Sequence, residues 1–374
     1  MFEPIVIPSK YRNEPIEQEL PFELSKSSVI DIQLGRETVT KIKNYQRECF
    51  LNNYDVFQCL IRNADIIDSS LTLLWKHFFD GDSTKMSLVA VGGYGRREQF
   101  PDSDIDLLIL TSDQEIEPIL KDKLENFVSY LWDLKFHLGS SVRSVNQTVL
   151  ASREDHTIIT NLQETHFIAG NQDLYNQLKN AVKNDRFWDD EKYFEAKIRE
   201  QEDRYHRFHD TIFSLEPDIK NNPGGLRDLH LMMWLSHKIV FKNDNDTLCS
   251  AGLLTEEEYS EYKACQRYLF TLRYAIHCIS NSDILRLDLQ KTVASMVGYG
   301  DDGNAPVEAM MRDLFRTFHR VKELNNILIQ QIQLNIQGYV GDSFSEPVFI
   351  NSSFVQRGAY IDVLDHQLFI SDPT

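Results

Sequence analysis

The sequence predicts an α+β protein: a first unit with a small mixed sheet, then a mostly α-helical one. Three observations carry this. Between 86 and 110 the apolar pattern contracts into two β-type runs, 86–91 and 103–110. Gly92-Gly93-Tyr94-Gly95 separates them as a turn. From 173 to 334 the apolar spacing is helical almost without a break. With 374 residues, 42% of them apolar, there is material for more than one core.

Residues 1–30 hold Pro, Glu and Ser without periodicity and read as an extended arm. Over 31–79, Ile42, Phe50, Phe57, Leu60, Ile61, Ile67, Leu71, Leu74 and Trp75 recur at helical spacing, predicting two or three helices. After the two strands, 115–138 carries an apolar stripe through Ile119, Leu124, Phe127 and Leu131, with Gly139 placed as its C-cap. A third strand is predicted over 140–145. The helical part is interrupted at 221–225 and 298–306. Alternation over 354–363 reads as a hairpin, which is marginal alone and implies that the chain leads into a missing C-terminal region. The expected division is 1–60 arm and helix, 61–172 catalytic domain, 173–335 helical domain and 336–374 hairpin segment.

Composition excludes several functions. There are 39 basic against 57 acidic residues, a net charge of −18, which argues against a broad phosphate-backbone footprint and so against a nucleic-acid partner. Cys49, Cys59, Cys249, Cys265 and Cys278 are scattered and form no CxxC pair, so neither a disulfide framework nor a structural zinc site is predicted. No basic-then-apolar leader opens the chain, and no run approaches about 18 apolar residues, so a cytoplasmic protein with no membrane partner is expected.

The chemistry concentrates in 91–107. Side chains alternate along a strand, so Asp104 and Asp106 project to one side while Ile105 and Leu107 enter the core. Two adjacent carboxylates at an apolar strand are costly unless protonated, hydrogen-bonded or neutralised, and a hard divalent cation, Mg2+ foremost, neutralises them directly. Gly92 and Gly93 let backbone N–H groups approach an anion, a helix starting there would add its N-terminus, and Arg96 or Arg97 would clamp phosphate oxygens. A glycine turn for a triphosphate facing two metal-binding aspartates suits in-line attack at phosphorus, hence nucleotidyl transfer.

Gly92-Gly93-Tyr94-Gly95-Arg96 with Ser103-Asp104-Ile105-Asp106-Leu107 resembles the signature of the DNA polymerase beta type nucleotidyltransferase superfamily. The segments 215–230, containing Pro223-Gly224-Gly225-Leu226-Arg227-Asp228, and 160–165, Thr160-Asn161-Leu162-Gln163-Glu164-Thr165, are similar to the N-terminal part of the bacterial PII uridylyltransferase/uridylyl-removing enzymes. The resemblance runs from about 53 to 328. It implies a polymerase-beta-like catalytic domain that transfers UMP from UTP to a tyrosine hydroxyl of the PII signalling protein and releases pyrophosphate. It also implies that Asp104 and Asp106 are catalytic and bind the metal, and that Gly92, Gly93, Arg96 and Ser103 lie with the nucleotide. The family's phosphohydrolase and glutamine-sensing domains would lie beyond this chain. Many relatives place a third acid where this chain has Ser140-Ser141-Val142-Arg143, which leaves Glu164 or Asp155 as substitutes, each equally readable as structural.

Other signals are set aside. The GxGxxG at 298–303 follows a helical pattern and contains two aspartates, so it reads as a loop. His206, His209 and Asp210 read as part of one continuous surface helix, and 192–207 as a solvated face. Lys220 and Arg227 flank a turn that packing explains without a ligand. Transfer of AMP instead of UMP, or a non-catalytic binding module, are the alternative functions.

Overall fold

A computed structural model describes residues 31–112, 116–184, 187–241 and 247–336, together with the backbone of four short strands beyond them. The expected N-terminal arm lies outside the described residues. Helix α1 (Ile32–Leu51) starts at Asp31, whose carboxylate accepts from the N–H groups of Gln33 and Leu34; Asp55 caps α2 (Val56–Phe78) in the same way through Phe57.

Strand β1 (Ser87–Val91) runs into a single helical turn, α3 (Gly92–Gly95), and the chain returns as β2 (Ile105–Thr111) antiparallel to it. Helix α4 (Pro118–Asp133) crosses over to β3 (Leu138–Ser144), parallel to β2. Strand β4 (Thr165–Gly170) completes a mixed sheet of order β3-β2-β1-β4. The sequence pattern did not predict β4. It is a short edge strand whose first three residues are only half-buried, so no clean alternation marks it.

The expected cap at Gly139 is corrected by the structure. Helix α4 stops at Asp133, Lys135 takes the left-handed turn at φ 61°, and Gly139 becomes part of β3, opposite Asp106. The earlier stop lets His137 accept from the N–H of Ile105 (2.7 Å) and start the parallel pairing.

Both faces of the sheet are covered, which is why 107–110 is an unbroken apolar run. Leu88, Ala90, Ile105, Leu107 and Ile109 pack with Trp75, Phe79 and Phe127 of the α2 and α4 side. Val89, Leu108 and Leu110 pack with Leu162, Tyr175 and Leu178. These come from the opposite layer of α5 (Val145–Glu154), α6 (His156–Gln163) and α7 (Gln172–Asn184). By packing, then, the sheet unit runs on through α7, past the expected boundary at 172.

The second unit contains α8 (Asp190–Arg207), α9 (Leu226–Leu235) with a π-helical turn (Ser236–Val240), α10 (Glu256–Ile279), α11 (Leu287–Met296) and α12 (Ala305–Ile336). Its core, with Leu229, Leu269, Tyr274, Phe318 and Leu324, also takes in Ile42 and Tyr45 of α1 and Cys59 and Leu60 of α2. Further along α2, Ile67, Leu71 and Trp75 belong to the sheet's core. One helix thus ties the units together. Asn63, at the changeover, donates to the Gln99 carbonyl (2.8 Å) and to Tyr274 Oη (2.9 Å).

Two expectations about α8 change. The helix ends at Arg207, with His209 and Asp210 in left-handed turns beyond it, and its inner face buries Tyr193, Lys197, Gln201 and Arg204. The 192–207 stretch is therefore half core, because its polar residues have partners on α9. The 298–303 glycines do form a loop, between α11 and α12. Beyond α12 the described strands β5 (Val348–Phe349), β6 (Phe354–Arg357), β7 (Tyr360–Val363) and β8 (Phe369–Ser371) form an antiparallel meander that contains the expected hairpin as β6 and β7. All five cysteines are free thiols. Among the described residues, no helix is long and apolar enough to cross a membrane.

Candidate active site

The turn out of β1 and the start of β2 meet where the sequence places the chemistry. Gly92 has φ +61°, a conformation that side chains resist. A Cβ built there would lie 3.3 Å from Asn161 Oδ1 and 3.8 Å from Asp106 Oδ2, so the turn, the second aspartate and the end of α6 converge on one point. Because α3 is one turn of four residues, it offers backbone N–H groups without the dipole of a real helix, less than the sequence suggested.

Asp104 is exposed just before β2, and Asp106 is half-buried two residues later, on the face of Leu108 and Leu110. Burial pushes the Asp106 carboxyl up; the negative charge of Asp104 adds to this, and Lys220 opposes it. Among the described residues, neither carboxylate accepts a hydrogen bond or joins an ion pair. Two mutually repelling oxygen donors without a cation fit a hard divalent ion. Gly139 makes the geometry possible: opposite Asp106 in the parallel pair, any Cβ there would come within 3.0 Å of Asp106 Oδ1.

Arg96 differs from its expected role. Its guanidinium is inside, paired with Glu98 (Nε to Oε2, 3.0 Å) and with Glu164. Burial works against its charge, yet Glu164 and Glu98 hold it protonated. It remains beside the glycine turn, since a Cβ at Gly93 would be 3.7 Å from Arg96 Nη2, but two carboxylates already neutralise it. Arg97 pairs with Asp65 of α2. Ser103 stands apart: its Oγ is buried without a partner, in a cleft lined by Lys43, Gln99, Asp102 and His137.

The substitute acids are occupied. Glu164 accepts from Arg96 on one oxygen and from Trp234 Nε1 (2.6 Å) on the other. Asp155 caps α6 through the Thr157 N–H (2.7 Å). Both are structural here, and among the described residues no third acid joins Asp104 and Asp106.

Three features escaped the sequence. Asn161 faces Gly92 and Asp106, on a motif quoted only for its resemblance. Trp234 of α9 is ringed by cations, Lys197 Nζ at 4.2 Å, Arg227 at 5.2 Å and Arg96 at 5.9 Å from its centroid. His230, one turn earlier, lies with Nε2 2.9 Å from Glu98 Oε2, and burial with the Arg96 charge pushes it down to about 4. No local signal connects 227–234 with 96–98; only the docking of α9 does.

Comparison with known proteins places two domain families along the chain. The nucleotidyltransferase domain family matches residues 75–165, and the GlnD PII-uridylyltransferase family matches residues 192–329. The chain is 37% identical over 361 residues to a bifunctional uridylyltransferase/uridylyl-removing enzyme of Vibrio parahaemolyticus, covering 96% of this chain and 41% of that protein. It is 38% identical over 358 residues to the enzyme of that name from Aliivibrio fischeri, covering 94% of this chain and 40% of the relative. With that of Vibrio cholerae it shares 36% identity over 361 residues, again 96% and 40%. The chain spans about two fifths of the length of these relatives. With its signature turn and its aspartates, this α+β chain carries, in order, a nucleotidyltransferase domain and a GlnD PII-uridylyltransferase domain, and over nearly its whole length it is similar to uridylyltransferase/uridylyl-removing enzymes.

Proposed function

We propose that this chain transfers UMP from UTP to a tyrosine hydroxyl of a PII protein in the cytoplasm and releases pyrophosphate. The observation that carries the reading is the uncompensated pair Asp104 and Asp106, set against the positive-φ turn at Gly92. Asp104 and Asp106 would hold Mg2+, which when bound neutralises charge on the phosphates and the leaving group. Gly92 and Gly93 leave room for the triphosphate beside the backbone N–H groups of α3. The tyrosine oxygen attacks the α-phosphorus in line, a new P–O bond forms, and the bond to the bridging oxygen of pyrophosphate breaks. Glu164 and Asp155 being engaged, the carboxylate pair itself is the acceptor available for the hydroxyl proton. The catalytic part is the sheet unit from α2 through α7, and the helical unit completes it.

Labelled UTP, magnesium and a purified PII protein test this, with ATP in a parallel tube and Asp104→Asn as control. Label on PII from UTP alone, lost by at least about 10³-fold in the variant, is the expected result. Labelling from ATP alone would make the enzyme an adenylyltransferase. Nucleotide binding without turnover would favour a silent regulatory module.

A further inference from the structure

The helical unit carries one tightly hydrogen-bonded loop just ahead of α9. Asp218 accepts from the N–H of Lys220 (2.9 Å) and of Asn221 (2.8 Å). The carbonyls of Ile219 and Lys220 accept from the N–H of Leu226 (3.0 Å) and Arg227 (2.9 Å), so Lys220 and Arg227 stand side by side where the loop closes. Its tip is fixed too: Gly224, at φ +82°, is pressed on the Phe318 backbone and donates its N–H to Asp228 (2.6 Å).

The two cations on this loop are poorly compensated. Lys220 Nζ has Asp283 Oδ2 at 3.8 Å, beyond hydrogen-bond distance, and that carboxylate is already held by Arg273 (2.6 Å) and His277 (2.8 Å). Arg227 has no carboxylate or carbonyl partner among the described residues; its guanidinium meets the Trp234 ring at 5.2 Å. It lines a small cleft with Lys197, Glu200, Arg204, Leu231 and Trp234, where Lys197 is spent on Glu200 and Arg204 on Asp228. Burial lowers the pKa of both Lys220 and Arg227, and the charge of Arg227 adds to the effect on Lys220. Arg227 and Arg96 share the Trp234 ring, and Arg96 in turn lies beside the glycine turn at Gly93. Donors left unspent on half-buried cations are a cost that a bound anion removes.

We propose that Lys220 and Arg227 hold the two phosphates that leave as pyrophosphate, so that the helical unit completes the triphosphate site begun by the Gly92 turn. The packing reasons for the Pro223-Gly224-Gly225 turn stand; they explain its shape and leave the two cations unexplained. The inference rests on the nucleotidyl-transfer reading, and its test is binding, which needs no turnover.

Affinities for inorganic pyrophosphate, UTP and UMP, each with magnesium, are compared in the chain and in Lys220→Gln and Arg227→Gln, with Lys192→Gln, on an exposed part of α8, as control. Each site variant is expected to weaken pyrophosphate and UTP by about tenfold or more while UMP and the control stay unchanged. Thermal unfolding reports whether each variant folds. Arg227→Lys, which keeps the charge and loses the fork, takes the place of Arg227→Gln if the latter unfolds, with a smaller loss expected. Unchanged pyrophosphate affinity in folded variants, an equal loss for UMP, or no pyrophosphate binding by the parent chain at millimolar concentration overturns the proposal. If pyrophosphate behaves as expected but no PII protein is labelled, the transfer reading fails and the anion subsite stands.

Discussion

Asp106 and Asp228 are aspartates that the fold draws away from water and then treats in opposite ways. Asp228, fully buried, accepts from Gly224 N–H (2.6 Å), Tyr205 Oη (2.7 Å) and Gln201 Nε2 (3.0 Å) and pairs with Arg204. Asp106 has Asp104 as its neighbour and is satisfied by nothing on its own chain among the described residues. Compensation of this kind marks a structural charge, while its absence beside a glycine turn marks a place kept for something that arrives. The cations divide in the same way: Arg204 is consumed by Asp228, and Arg227, lining the same cleft, is left over.

The sharpest way to break this contrast is to exchange the outcomes. Asp228→Ala would leave a buried guanidinium, a phenol, an amide and a backbone N–H without their acceptor, at a cost of about 3–5 kcal/mol. Urea unfolding is expected to show that loss, whereas Asp104→Asn, expected to stop transfer, should leave the unfolding midpoint where it was or raise it slightly. A stable Asp228→Ala chain, or an Asp104→Asn chain as damaged as that one, would remove the distinction.

A second contrast lies at the seam between the units, where Glu98 and His230 meet. Burial alone would raise Glu98, but Arg96 and then His230 hold it well below the usual carboxylate range. Burial pushes His230 from 6.5 down to about 4, so it is folded as the neutral ring. Between those values the unfolded chain takes a proton that the folded chain refuses. Stability therefore falls as pH drops through that window, by up to about 3 kcal/mol. Glu98 acts lower: its contribution is present above the unfolded carboxyl pKa and lost as pH falls below it. His230→Gln should flatten the stability profile between pH 6.5 and 4 relative to the parent; identical slopes would mean that the ring is charged when folded.

The sequence made the carboxylate pair legible because a strand's period of two is local: Asp104, Ile105, Asp106 and Leu107 need only their own backbone to be sorted by side. The helices of the second unit were legible for the same reason. What could not be read were relations between distant segments. Glu164 looked like a spare acid until Trp234, 70 residues on, was found donating to it. Lys220 and Arg227 looked like the flanks of a packing turn, because the meeting of Arg227 and Arg96 over the Trp234 ring is created by α9 docking on the sheet unit. Strand β4 was hidden by lying at an edge.

Gly139 joins both lessons. As sequence it follows an apolar helical stripe and looks like the residue that stops it, a role the structure assigns to Lys135. In β3 it is the neighbour of Asp106 across the parallel pair, and the space its missing side chain leaves is filled by Asp106 Oδ1. Gly139→Ala adds one methyl group at an exposed strand position and disturbs no apolar core, so unfolding should move by less than about 1 kcal/mol. The Asp106 carboxylate, however, must turn away from the position it shares with Gly92 and Asn161. A displacement of about 1 Å in a positioned catalytic group costs up to about 100-fold in turnover. Uridylyl transfer by Gly139→Ala should therefore fall by about 10- to 100-fold with the fold intact. Full activity would show that the carboxylate works from another rotamer, and that Gly139 serves the strand alone.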